Sequence, residues 1–166
     1  AKMQRGVEEK IGEKLNTREV EQNFLEWLKH SLVLYPDSIP FLSRCKARGH
    51  PICIVTFGDT QFQKQKVAVL NIPHDELFVT EKENGKPRII LELIKKYGST
   101  LVFIDDKPSE LDRARDQGMD ESDVITVQID REDGPYGGEE PRFEHHKVSS
   151  LQEVMPILFS VSRVRA

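Results

Sequence analysis

Leu101-Val102-Phe103-Ile104-Asp105-Asp106-Lys107-Pro108 is the stretch on which the fold turns. Its first half is a run of four large apolar residues, which reads as a strand buried on both faces, the pattern of a parallel sheet. Two carboxylates end the run, and Pro108 suits the first turn of a helix that follows. Upstream, Pro87 to Tyr97 reads as a helix closed by Gly98. Downstream, a helix from Pro108 ends at Gly118, and Val124 to Ile129 is a further strand.

The same alternation extends in both directions. Ile52-Cys53-Ile54-Val55 is a β-branched run between Pro51 and Gly58 and reads as a strand. A helix through Lys64 to Leu70 follows, then a shorter strand at Leu77-Phe78-Val79. Before these, Val20, Phe24, Leu25, Trp27, Leu28 and Leu32 recur at helical spacing, which predicts a buried face. The more polar residues ahead of Val20 are also read as helical. Tyr35-Pro36-Asp37 breaks the pattern ahead of a helix running toward Gly49. Leu151 to Phe159 reads as a final helix, behind a loop from Asp130 to His146. Strands that alternate with helices predict an α/β fold: a Rossmann-like parallel sheet sandwiched by helices, with binding groups beyond the carboxyl ends of the strands.

Composition narrows the function classes. With 166 residues the chain suits one domain, and 37% hydrophobic against 31% charged residues describes a well-solvated globule. A formal charge of -4 gives no general attraction to nucleic acid or anionic lipid, so an anionic ligand must be met locally. The first thirty residues interleave charges with apolar positions, which excludes a signal peptide or membrane span and makes a cytoplasmic location the expectation. Cys45 and Cys53 lack the spacing of a metal site and are read as reduced packing residues.

Three positions could carry chemistry. Thr56, followed by Phe57 and Gly58, stands at the carboxyl end of the first strand, where a hydroxyl and backbone N–H groups can hold a phosphate oxygen. Taken alone, a strand-ending turn is the plainer reading. Lys86, just ahead of Pro87, puts an ammonium at a helix start, although a lone lysine is commonly a solvated one. Asp105 and Asp106 are the sharpest signal, with Glu110 one helical turn beyond Asp106. Adjacent carboxylates repel unless a cation offsets them, which makes Mg²⁺ the fitting partner. The plainer alternative is Asp106 or Ser109 capping the helix after Pro108.

In the order threonine, lysine, acidic pair, these residues resemble all but the first motif of the haloacid dehalogenase superfamily. Ile54-Val55-Thr56 is similar to its second motif, Lys86-Pro87 to its third, and Phe103-Ile104-Asp105-Asp106 to its acidic fourth. The likeness covers roughly Leu34 to Leu158. It implies a Mg²⁺-dependent phosphatase acting on a small phosphorylated substrate or a phosphoprotein. Thr56, Phe57, Gly58 and Lys86 would bind phosphate, Lys86 and Asp106 would serve catalysis, Asp105 and Asp106 would hold the metal, and Glu110 would support them.

The family's first motif is a strand ending in Asp-x-Asp, which carries the nucleophile, yet no aspartate precedes Asp37 here. The expectation is therefore residues 1–33 as a helical cap or linker, and 34–166 as a core lacking its first motif strand. That strand would come from upstream residues in the natural protein, and this chain alone would be inactive. The rival expectation is a non-catalytic module that keeps the phosphate and Mg²⁺ groups. A response-regulator receiver has these residue types in another order, and Gly85-Lys86-Pro87 lacks the other residues of a P-loop. His145-His146 is read as a solvated pair in a polar loop.

Overall fold

The computed structural model describes residues 17–162. The polar stretch ahead of Val20 lies largely outside them. In chain order the elements are helix α1 (Thr17–Ser31), α2 (Ser38–Ala47), strand β1 (Cys53–Phe57), α3 (Thr60–Val69), β2 (Glu76–Thr80), α4 (Lys86–Tyr97) and β3 (Leu101–Asp105). They are followed by α5 (Pro108–Asp116), β4 (Val124–Ile129), β5 (His146–Val148), a 3₁₀ turn (Leu151–Val154) and α6 (Met155–Ser162). No helix among the described residues is long and apolar enough to cross a membrane.

Every strand pairing is parallel; helices connect β1 to β2 and β3 to β4, whereas β4 reaches β5 through a loop. The period-two alternation of β3 and β4 sorts the core into two layers. Val102, Ile104, Ile125, Val127 and Ile129 face α2 and α6, packing with Phe41, Cys45 and Met155. Leu101, Phe103 and Val124 face the opposite way, toward Ile90 of α4 and Ala114 of α5. Helices therefore cover both faces, and this is the α/β class read from the sequence.

The strands do not form one continuous sheet. β1 pairs with β2, and β3, β4 and β5 make a separate three-stranded sheet. Between them the inner edges of β1 and β3 have no strand partner among the described residues, although bare strand edges are costly to leave unpaired. Two cavities occupy the seam. One of about 190 Å³ lies toward α4, and one of about 200 Å³ lies toward α2; Cys53, Val55, Val102 and Phe103 line both.

Three readings need correction. The loop read from Asp130 to His146 ends one residue earlier, because His146 opens β5, a strand too short and polar to show periodicity. The last helix begins only at Met155, after the 3₁₀ turn. Of the apolar stripe on α1 only Leu28 is fully buried, while Val20 is 41% and Trp27 58% exposed. The physical reason is limited cover: α1 rests on α3 through Phe24 and Phe62, whose ring centroids are 5.9 Å apart, and stacks Trp27 on Phe24 at its solvent side.

Candidate functional site

The carboxyl ends of β1 and β3 bring the sequence-selected residues to one side of the sheets. Thr56 is the penultimate residue of β1. Its hydroxyl donates to Gln63 Oε1 at 3.1 Å, and Gln63 Nε2 donates to the Phe57 carbonyl at 3.0 Å, so one α3 side chain ties the turn together. Gly58 has φ +135°, so its backbone conformation selects glycine, and a Cβ there would stand 2.7 Å from Gln63 Nε2 and displace that side chain from the turn. Asp59 then caps α3 by accepting the Phe62 N–H at 2.7 Å.

Lys86 opens α4, with Pro87 behind it in the first turn and Gly98 (φ +57°) closing the helix. Its ammonium reaches across to β3 and donates to Asp105 Oδ2 at 2.7 Å, both side chains being largely buried at 14% and 9% exposure. The second Asp105 oxygen accepts the Lys107 backbone N–H at 3.0 Å. The chain entering α5 is therefore held by Asp105, not by Asp106 or Ser109, and Lys107 at the cap position makes no side-chain cap bond.

Asp106 is the more exposed member of the pair. Partial desolvation, followed by the neighbouring Asp105 charge, pushes its carboxyl above the ordinary aspartate value despite the Lys86 ammonium. Glu110 pairs with Arg113 on its own helix. Asp105 and Asp106 are thus the oxygen donors at the strand end, and no cluster of three or more metal-ligating side chains forms among the described residues. Two carboxylates do match the protein share of a Mg²⁺ site, since that ion keeps several waters and takes its remaining ligands from substrate phosphate.

Tyr35, Ser38 and Arg131 join Lys86, Asp105 and Asp106 around a cavity of about 310 Å³. Arg131 forks onto both Asp37 oxygens at 2.9 and 2.8 Å and lies over the Tyr35 ring, 4.0 Å from its centroid. Asp37 also accepts the Leu151 N–H at 2.8 Å. Burial would raise the Asp37 carboxyl, but Arg131 and the Leu151 N–H outweigh it and hold the group below the usual range. The sequence showed none of this, because the partners are 94 and 114 residues apart.

A second network corrects the histidine reading. His145 is not solvated: its side chain is 1% exposed, with Nδ1 2.8 Å from Thr126 Oγ1 and Nε2 3.1 Å from Asp112 Oδ1. Asp112 also accepts the Arg142 and Phe143 backbone N–H groups, each at 3.1 Å, and Arg115 donates to Thr126 Oγ1 at 3.0 Å. Burial would raise the Asp112 carboxyl, but the Arg142 N–H, the His145 ring and the Phe143 N–H together hold it low. The polar loop thus hides a histidine, because α5 offers a buried carboxylate beneath it. The sequence carried no signal for it: only the structure shows Asp112 buried beside Leu111 on the inner face of α5. Cys45 and Cys53 are unpaired, and burial pushes both thiols up, in keeping with packing roles.

Comparisons with known proteins give the chain's family and fold. The sequence pattern of a hydrolase family, haloacid dehalogenase-like hydrolase, matches residues 2–117. Among solved structures, an L-2-haloacid dehalogenase superposes with a TM-score of 0.61 at 16% identity, covering 93% of this chain and 69% of its own. A Burkholderia xenovorans LB400 protein described as a haloacid dehalogenase-like hydrolase gives a TM-score of 0.58 at 20% identity, covering 84% of this chain and 66% of its own. This chain therefore spans about two thirds of the length of these neighbours. A search of the curated proteins found no match.

Proposed function

Because the chain belongs to the haloacid dehalogenase-like hydrolase family, we propose that its complete form is a Mg²⁺-dependent phosphomonoester hydrolase and that residues 1–166 alone do not turn over. The observation that carries the reading is the Lys86 ammonium on Asp105 at 2.7 Å, beside Asp106 and at the carboxyl end of a seam between β1 and β3 that no strand among the described residues fills. A cation, paired acids and a helix start converging at strand ends suit a phosphoryl group held against a metal ion.

In this reading a parallel strand fills the seam, with 1–33 as cap or linker and 34–166 as the remaining core. The incoming strand pairs with the bare edges of β1 and β3 and brings an aspartate level with Thr56 and Asp105. That carboxylate attacks phosphorus, the leaving alkoxide takes a proton from a second acid on the same strand, and water then releases phosphate. Lys86 and Thr56, with the Phe57 and Gly58 backbone, hold the phosphoryl oxygens. For Thr56 this means its hydroxyl turning from Gln63 toward the ligand. Asp106, with Asp105, would hold Mg²⁺, which when bound would neutralise phosphoryl charge and offset the desolvation and the Asp105 repulsion that raise the Asp106 carboxyl. Glu110, by fixing Arg113, shapes the rim.

A second reading, a non-catalytic phosphate- and Mg²⁺-binding module, is favoured by the engagement of both Asp105 oxygens and of the Thr56 hydroxyl within the fold. Phosphate release from p-nitrophenyl phosphate with Mg²⁺ separates the two. The enzyme reading expects no release by this chain, and release once an apolar strand ending in Asp-x-Asp precedes it, abolished by chelation or by Asp106→Asn. Turnover by the bare chain that survives Asp106→Asn would overturn it. Silence of the extended protein supports the module.

A further inference from the structure

Thr56 has one hydroxyl proton, and the fold already uses it. Gln63, in the first turn of α3, meets the end of β1 through both atoms of its amide: Nε2 donates to the Phe57 carbonyl at 3.0 Å, and Oε1 accepts from the Thr56 hydroxyl at 3.1 Å. Hydrogen-bond chemistry fixes which atom faces which partner. The Phe57 carbonyl can only accept, so it requires the NH₂ end of the amide; Oε1 is left facing Thr56, whose hydroxyl must then donate. What Thr56 can still offer a ligand is lone pairs, which repel a phosphate oxygen.

The surrounding turn holds Gln63 in this position. Its backbone N–H donates to the Asp59 carbonyl at 3.0 Å, the Asp59 carboxylate accepts the Phe62 N–H at 2.7 Å, and Glu81 accepts the Thr60 N–H at 3.0 Å. Two carboxylates thus occupy N–H groups at the start of α3, where a helix otherwise receives an anion. The side-chain donor that the end of β1 can bring to a phosphoryl oxygen is therefore the Thr56 hydroxyl, once it leaves Gln63. Gly58 preserves the contact, because a Cβ there would stand 2.7 Å from Gln63 Nε2.

We propose that Gln63 is a positioning residue that limits phosphate affinity: it holds the Thr56 hydroxyl in a self-satisfied arrangement, and a phosphoryl group binds by taking over that proton. The inference rests on the phosphatase reading for Thr56 as a phosphate contact. The exchange replaces a neutral hydrogen bond by a charge-assisted one, about twice as strong, so it runs forward but gains less affinity than an uncommitted threonine would give. Throughout, Nε2 stays on the Phe57 carbonyl, so the turn keeps its shape while Oε1 passes from Thr56 to water.

Calorimetric titration of inorganic phosphate into the full chain with Mg²⁺ tests it through Gln63→Met, which keeps side-chain length and helix preference but carries no amide acceptor. With Oε1 gone, phosphate is expected to bind about fivefold more tightly, the scale of one neutral hydrogen bond. Damage to the turn would weaken binding instead, so the sign separates the two. Thr56→Val is expected to weaken binding, and adding Gln63→Met to it is expected to change nothing further. In the unaltered, isotope-labelled chain the Gln63 side-chain amide signals are expected to move in step with phosphate binding, a readout that needs no variant to fold. Binding by Gln63→Met that is equal or weaker, tightening that persists beside Thr56→Val, or amide signals that stay fixed while phosphate binds overturns the role of Gln63 and leaves the phosphate reading standing. Unchanged affinity in Thr56→Val, or no phosphate binding at all, overturns both.

Discussion

Replacing Asp112 by alanine removes the acceptor shared by the Arg142 N–H, the Phe143 N–H and the His145 ring, where the carboxylate is 4% and the imidazole 1% exposed. Each buried donor left without a partner costs about 1–3 kcal/mol, and here three lose theirs. Because 139–144 is a surface loop whose amides can turn to water, we take about 3–5 kcal/mol for the whole substitution. That is a large part of the roughly 5–15 kcal/mol by which a domain is stable. With a urea slope near 2 kcal/mol per molar, the unfolding midpoint should fall by about 1.5–2.5 M. Far-UV circular dichroism against urea measures it, with Arg142→Ala as control, since that side chain is 62% exposed and its ion pairs contribute under about 1 kcal/mol. A drop below about 0.5 M for Asp112→Ala would refute the argument that this carboxylate fastens the loop to α5.

The remaining predictions concern pH, the site pair and the core. Asp37 and Asp112 are both held below the ordinary carboxylate value, so the unfolded chain binds their protons first. Their stabilisation is therefore complete above about pH 4 and lost as pH falls through the folded values; thermal midpoints should drop below about pH 4, and a flat profile there contradicts the networks. Lys86→Ala strands Asp105 beside Asp106 and should cost about 3–5 kcal/mol, while Asp105→Asn in the same chain recovers part of it; additive losses in that double-mutant cycle would deny the coupling. Leu111→Ala, at a fully buried position, should cost about 2–5 kcal/mol in denaturant unfolding, whereas Val20→Ala on exposed α1 should stay within about 0.5 kcal/mol. Hydrogen exchange should be slowest at Val127, in the strand paired on both edges, and faster in β1, paired on one; the reverse order would mean that the seam is closed in solution.

How much was legible in advance follows from the range of the forces involved. Hydrophobic periodicity, proline at helix starts and glycine at helix ends act over a few residues. The order of elements from β1 to β4 could therefore be read from the chain, with boundaries shifted by a residue or a few. The selection of Thr56, Lys86, Asp105 and Asp106 was possible for the same reason: each stands directly at the end of an apolar run or the start of a helix. The buried stripe assigned to α1 failed because spacing defines a face but not what covers it, and only Leu28 found cover.

What tertiary structure alone decided depends on contacts between distant residues. Asp37 reaches Arg131 and Leu151, and Asp112 reaches His145, across separations at which local sequence carries no information about pairing. β5 exists because β4 offers it an edge, not because His146-Lys147-Val148 has a strand pattern. The seam between β1 and β3, whose inner edges have no strand partner among the described residues, is likewise a product of assembly. Sequence by itself determined the order of elements from β1 to β4 and the polar groups at their strand ends. Packing decided which of those groups neutralise one another, as Lys86 does Asp105 and Arg113 does Glu110.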